Sequence, residues 1–574
     1  MSEHARRGPV SAQAWWSCAE RRERAGGGGR AGRAGRYGAR ALLCAALLGA
    51  GTGAQLSAQD TIPPARAGAA PDTSRSAPST VARAAPADPR PDRSVPASPV
   101  LSPQSWVFEA LRRLWALGLL DEAFDAGTPA LNCRKAARLL EAAAANARAR
   151  RPELAPVAES YRVALESSAE LCPGPGRPFG LALEGGYDRF RGGVRAGVGY
   201  DPADDWTGVR PLADTSTFVG RAHAALLLGR NLSLVATPEV RTGGVRLDEG
   251  YLALAAGPVA AWAGRRSFRF GPATAGGIVL SDLVALDGGG AYLAEPIRFP
   301  WVFRALGPIH MESFVSQVRG GDRIRNPYFV AFRGTMAPHP RLIVGLSRAA
   351  MFGGQGNLPI TVRNMSFLFF GGTQSGPQGD FANDMVALDA QYRPPLGALP
   401  LVTFLEWGMD DAAGAWHHEP AFNAGAFLGS VPGLPWVGAG AEWTYFAKHD
   451  PQNTIWYRNF SLRNGWTDDG IGVGSPLGGN GRQALAHVDA TLPHGLADLR
   501  ADVFYRDRGP ENLLAPERAG VSRGGALRLR VRPTGRVAAF GDIDVERGQG
   551  WTFLHLVTGI ELALTPAGIP SSHP

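Results

Sequence analysis

The sequence predicts a mainly β protein: a large closed transmembrane antiparallel β-barrel of about 16–18 strands, preceded by a small α-helical bundle. Three observations carry this. From Phe179 onward, apolar and polar residues alternate with period two in segments about ten residues long, and successive side chains of a strand point to opposite faces. The polar parity holds charges of both signs, which cost roughly 2–4 kcal/mol each at mid-bilayer and therefore belong to a lumen. Downstream of the amino terminus no stretch reaches about 18 apolar residues, so helices do not span a membrane.

Residues 1–40 are rich in Arg and Gly, and Arg30, Arg33, Arg36 and Arg40 form a positive run before the apolar core Ala41–Ala50. Small residues follow, to Ala58. This pattern predicts a secretory signal over 1–58 with a long positive leader, its core too short to span a bilayer. The segment carries nine Arg and three Glu, a net of +6 out of the formal +8. The rest of the chain is therefore nearly neutral. The pI of 9.6 gives no ground for nucleic acid as a partner. Of the four cysteines, Cys133 and Cys172 lie outside the signal. An even pair in an exported chain suggests a disulfide, with two buried free thiols as the alternative. A mean hydropathy of −0.10 does not exclude a membrane protein, because barrel strands are only half apolar.

Residues 59–102 are dominated by Pro, Ala, Ser, Arg and Asp without apolar period, which predicts a disordered linker. A helical bundle is expected over 103–176. Ser102-Pro103 reads as an N-cap with proline at the first helical position, and Val107, Leu111, Leu114 and Gly118 share a face. A second helix, about Lys135 to Arg150, aligns Ala136, Leu139, Leu140, Ala143 and Ala147. A third, about Ala155 to Leu171, aligns Val157, Tyr161, Ala164 and Leu165. Pro173-Gly174-Pro175-Gly176 ends the bundle.

The barrel is expected over 177–566, with a tail at 567–574. In Tyr251–Ser281, Trp262, Phe268 and Phe270 share one parity and Arg265, Ser267 and Arg269 the other. This reads as an aromatic face toward lipid and a basic face toward the lumen. Later segments repeat the pattern: Leu527, Leu529 and Val531 alternate with Arg528 and Arg530, and Ile543 and Val545 oppose Asp542, Asp544 and Glu546. Tyr328 and Phe332 oppose Arg333, and Trp443 and Tyr445 oppose Glu442 and Thr444. Gly-, Pro-, Asn- and Asp-rich pieces at 353–359, 371–383, 408–420, 464–482 and 507–523 read as surface loops.

Gly264-Arg265-Arg266 leading to Phe270-Gly271-Pro272, then Gly277–Ser281, resembles a segment of the capsule-assembly (Wzi-type) outer-membrane proteins. Leu306-Gly307-Pro308, Gly345–Arg348 with Phe352-Gly353-Gly354, Glu406 with Asp410-Asp411, and Tyr457–Gly472 follow in the same order. The resemblance covers about residues 104–565. It implies an eighteen-stranded barrel plugged at its periplasmic end, acting as an outer-membrane lectin for the attachment and assembly of surface polysaccharide.

Catalytic and metal signatures were sought beside this. Gly470–Gly474 lacks the Lys-Ser/Thr of a phosphate loop. His417-His418-Glu419 beside Asp410-Asp411 has no metal-ligand spacing, and Gly345-Leu346-Ser347-Arg348-Ala349 fails as a nucleophile elbow. No cofactor and no metal is expected. Candidate polysaccharide contacts are Trp416 and Trp466, as stacking faces, with Asp411, Asn464 and Asp468 beside them. Arg265, Arg269 and Arg348 could reach an acidic polymer, or pair with lumen acids such as Glu406 and Asp489. The expected partners are surface polysaccharide, outer-membrane lipids, the barrel-assembly machinery and polysaccharide export proteins. The expected activity is non-catalytic. A porin or substrate-specific channel is one alternative, and an outer-membrane hydrolase using Ser347, His487 and Asp489 is another.

Overall fold

The computed structural model describes residues 97–564 apart from 128–129, 167–171, 174–177, 192–215, 321–323, 371–374, 377–378, 398, 411–419, 448–455, 458–461, 463–464 and 515–517. The expected signal, most of the expected linker and the tail lie outside the described residues. The linker ends sooner than expected. Ala97, Ser98 and Val100 are buried, and Val100 exchanges two hydrogen bonds with the Tyr251 hydroxyl of the barrel wall, at 3.0 and 3.1 Å.

Three helices precede the barrel: α1 (Trp106–Ala116), α2 (Cys133–Arg150) and α3 (Ala155–Glu166). Ser105, rather than Ser102, caps α1 by accepting from Val107 N. Asn132 caps α2 by accepting from Lys135 N at 2.8 Å, so that helix starts at Cys133. Their apolar stripes meet in one cluster that includes Leu111, Leu114, Leu140, Ala147, Val157 and Leu165. Cys133 is disulfide-bonded to Cys172, with 5.4 Å between the α-carbons.

Eighteen strands follow. They are β1 (Phe179–Arg191), β2 (Ser216–Leu228), β3 (Leu232–Arg241), β4 (Gly244–Ala256), β5 (Val259–Arg266) and β6 (Leu286–Leu293). Next come β7 (Ile309–Gln317), β8 (Tyr328–His339), β9 (Leu342–Phe352), β10 (Ala382–Tyr392), β11 (Leu401–Asp410) and β12 (Ala421–Leu428). The set ends with β13 (Val437–Phe446), β14 (Gly481–Thr491), β15 (Ala497–Arg508), β16 (Gly520–Thr534), β17 (Val537–Gly548) and β18 (Trp551–Ala563). Each pairs antiparallel with its chain neighbours. β1 also pairs with β18, from Ala182 opposite Ala563 to Arg191 opposite Leu554, which closes the sheet. In lipid, closure leaves no edge with unsatisfied backbone groups. No described helix is long and apolar enough to cross a membrane.

The two ends differ. At one, strands turn tightly, as between β4 and β5 or β16 and β17; at the other, long segments such as 353–381 and 447–480 join them. Outer-membrane barrels keep short turns on the periplasmic side and long loops outside. The helices dock on the short-turn end. Arg113 of α1 donates to Gly429 O at 2.8 Å and Pro435 O at 3.0 Å, flanking the β12–β13 turn. Trp115 Nε1 donates to Pro340 O at the β8–β9 turn, and the Tyr161 hydroxyl lies 3.1 Å from Thr491 Oγ1.

Outward parity is apolar as expected: Leu527, Leu529, Val503 and Val488 are exposed on the outer wall. The expected aromatic face toward lipid is overturned. Trp262, Phe268 and Phe270 are buried inside the barrel, not set against lipid. β5 keeps Ala260, Trp262 and Arg266 on its inward face and ends at Arg266. The chain from Ser267 to Ala285 then folds into the lumen. Phe268 stacks on Phe314 of β7 with centroids 3.9 Å apart, and Phe270 bridges to Leu280. At Gly277 a Cβ would sit 1.7 Å from Phe270 O, so no side chain fits where these backbones cross.

Candidate functional site

The lumen is filled from two directions. A second insert, within 447–480, brings Trp456, Tyr457, Trp466, Ile471 and Val473 into the interior. It meets the first where Ser281 N donates to Val473 O at 2.9 Å and the Tyr457 hydroxyl donates to Ile278 O. Burial pushes the Tyr457 phenol well above its ordinary value, which keeps it a donor. Wall carboxylates hold the first insert by its backbone. Glu406 of β11 accepts from Ile278 N at 3.2 Å and from Asn423 Nδ2 at 2.8 Å. Glu442 of β13 accepts from Thr274 N and Ala275 N, both at 2.9 Å.

Ion pairs across strands fill much of the remaining lumen. Arg333 of β8 reaches Asp389 of β10 at 2.6 Å and Asp125, after α1, at 3.2 Å, tying bundle to wall. Arg506 and Arg508 of β15 share Glu546 of β17 at 2.8 and 2.7 Å. A cavity of about 480 Å³ is left between α1 and the walls formed by β1–β4 and β14–β18. Glu109 of α1 lines it. Burial alone would raise the Glu109 carboxyl, but Arg112, Arg500 and Arg269 together outweigh burial and hold it below the ordinary value.

The structure brings Arg265 and Arg269 onto this cavity, each with an acid: Asp287 at 2.9 Å and Asp282 at 2.7 Å. Arg348 lies elsewhere, on β9, paired with Asp384 at 2.6 Å and bonded to Leu368 O of α4 (Val362–Phe370). Trp466 is fully buried, its ring 5.1 Å from Phe329 in an edge contact, so it presents no face outward. Trp416, Asp411 and Asn464 lie outside the described residues.

Asp468 leads to the outer end. Its carboxylate accepts from Arg319 N at 2.7 Å and from the Arg319 guanidinium at 2.6 Å. Arg319 itself is 43 % exposed. Asp469 N returns a bond to Arg319 O. Beside this pair, Gln317 Nε2 donates to Asn326 O at 3.1 Å, and Arg325 and Gln355 are backbone-bridged with both side chains exposed. The β7–β8 connection is not among the expected loops. Its run Arg319-Gly320-Gly321-Asp322-Arg323-Ile324-Arg325-Asn326-Pro327 carries the same Gly/Asn/Asp/Pro signal as the loops that were named.

The three groups of the hydrolase alternative, Ser347, His487 and Asp489, are not brought together. Ser347 on β9 accepts from Arg333 at 2.8 Å, whereas His487 and Asp489 sit on β14. His487 Nε2 lies 3.4 Å from Asp489 Oδ2 without hydrogen-bond geometry. Among the described residues no three His, Cys, Asp or Glu side chains converge as metal ligands.

A closed eighteen-stranded wall, a lumen packed by its own inserts and helices over the short-turn end define the class: a plugged outer-membrane β-barrel. The profile of the capsule assembly protein Wzi family matches residues 177–557, and the chain belongs to that family. Its fold is similar to that of Wzi from Escherichia coli, an outer-membrane carbohydrate-binding β-barrel involved in group 1 capsule assembly. The identity is 15 % and the TM-score 0.62, over 80 % of this chain and 98 % of that one. OpdN (OccK10) of Pseudomonas aeruginosa aligns at 11 % identity and a TM-score of 0.41, over 68 % of this chain and all of the other. That likeness carries no argument. Among curated proteins none matches this chain.

Proposed function

We propose that this protein binds surface polysaccharide at its outer end and holds it to the outer membrane without a chemical step. The observation that carries the reading is the packed lumen. Two inserts bound to wall carboxylates and a helical bundle over the periplasmic end leave a large polymer only the outer face to engage. The family and the carbohydrate-binding barrel of similar fold support it. The outer patch offers directional groups for sugar hydroxyls and acidic substituents in Arg319, Arg325, Gln355 and Asp469. Asp410, the last residue of β11, lies at the same end. Asp411 and Trp416 follow it in the sequence, and with Asn464 are the stacking and hydrogen-bonding groups we assign to the neighbouring part of the site; Asp468, buried with its carboxylate on Arg319, orients that guanidinium instead. Arg265 and Arg269 serve the lumen charge network, and Arg348 serves the β9–α4 contact. Outer-membrane lipids and the barrel-assembly machinery are the partners a barrel of this kind requires, and export proteins are the source of its polymer.

Deleting the gene tests this. Polymer synthesis and export should continue while the cell-free fraction of polymer rises. Unchanged retention together with altered uptake of a small solute would support the channel alternative instead.

A further inference from the structure

One connection at the periplasmic end breaks the rule of tight turns. Between β6 and β7 the chain runs from Ala294 to Pro308, the longest of the described connections on that side. It is clamped at its base by an antiparallel bridge between Ile297 and Ile309 and held to the end of β8 by Ala337 N donating to Pro308 O. Its tip is a short 3-10 turn, Trp301–Leu306, in which no residue is buried. Trp301 is 90 % exposed, Val302 78 % and Phe303 59 %, with Phe299 also exposed before them. Trp301 sits at φ 63°, a conformation uncommon for a bulky residue.

Such a projecting apolar tip is unfavourable in water. What surrounds it identifies the medium it meets. The one acid of the connection, Glu295, is paired with Arg138 of α2 at 2.7 Å, and Arg298 and Arg304 flank the apolar tip with exposed side chains. The loop then runs directly into β7, whose outward residues Met311 and Val315 belong to the lipid-facing wall. An apolar tip bracketed by cations and continuous with a lipid-facing strand matches the boundary between acyl chains and anionic headgroups.

We propose that Arg298–Arg304 is a membrane wedge. Trp301, Val302 and Phe303 insert into the periplasmic leaflet of the outer membrane, while Arg298 and Arg304 bind the phosphates of anionic phospholipids. The wedge fixes the barrel's depth and tilt on one side. It requires only the barrel and is independent of what the outer face binds.

The test uses the full folded chain, with its Cys133–Cys172 disulfide intact, in vesicles of phosphatidylcholine and phosphatidylglycerol. A nitroxide is placed at Val302→Cys, or at Arg230→Cys in the exposed β2–β3 turn of the same end as an aqueous control. Collision with oxygen relative to a water-soluble nickel chelate should be several-fold higher at 302 than at 230. Equal ratios at the two sites would overturn the proposal and leave the tip to a periplasmic protein. Both positions are exposed, and heat-modifiable migration confirms that the labelled barrels are folded. The double change Arg298→Glu, Arg304→Glu should lower the ratio at 302 in these vesicles and leave it nearly unchanged in phosphatidylcholine alone. An equal fall in both lipids would overturn the assignment of the headgroup contact.

Discussion

Leu529 and Arg530 are adjacent on β16 and meet different media. Leu529 is exposed on the outer wall, while Arg530 pairs with Glu561 at 2.9 Å and lies over the Phe540 ring inside. A charge at Leu529 meets acyl chains at roughly 2–4 kcal/mol; a leucine at Arg530 loses one partly solvated pair. Leu529→Arg should therefore reduce the heat-modifiable folded fraction far more than Arg530→Leu, and equal losses would contradict the inside–outside assignment. Glu109 gives a second prediction at this scale. Its carboxyl is held below its ordinary value of 4.5, so its contribution is present above that value and is lost as pH falls through the lower, folded one. Protection of the α1 amides, taken relative to the intrinsic exchange rate at each pH, should fall as pH drops below 4.5, and Glu109→Gln should flatten that dependence while loosening α1 at neutral pH. The residue scale is also where the sequence misled. Trp262, Phe268, Phe270 and Trp466 are apolar because they pack a filled lumen, and hydrophobicity does not distinguish a lipid-facing ring from one facing an internal plug.

At the scale of elements, the strands of the second half were legible because apolar residues hold one parity through the middle of a strand, as Leu499, Ala501 and Val503 do in β15 against Asp498, Arg500 and Asp502. The inserts were not. Ser267–Ala285 continues the apolar and cationic alternation of β5, yet it folds inward, where its backbones cross at Gly277. The segment 464–482 looked like a surface loop for its glycines, yet those glycines let it pass close to Tyr457, as at Gly474. The bundle was readable from its helical period, and its docking was not, because Arg113 reaches backbone carbonyls that any sequence would present. The disulfide separates two residues 39 apart; closing a loop of that size stabilises by about 4 kcal/mol in the chain-entropy account. Cys133→Ser with Cys172→Ser should expose α2 and α3 to protease while the barrel core stays resistant. Equal protease resistance of the bundle in both proteins would contradict a clamping role.

As a whole the molecule is a plugged barrel. In planar bilayers the intact chain should show none of the stable conductance steps of an open porin, and regular steps would favour the channel. The most direct test of the central claim is binding itself. The purified folded protein is titrated with the surface polysaccharide of its own cells, beside the variant Arg325→Ala, Gln355→Ala, whose changes remove two exposed side chains. Saturable binding is predicted for the unaltered protein. The variant should bind roughly 5- to 150-fold more weakly, because each lost hydrogen bond is worth about 0.5–1.5 kcal/mol, with its heat-modifiable migration intact. A folded, unaltered protein that binds none of that polymer would contradict the account.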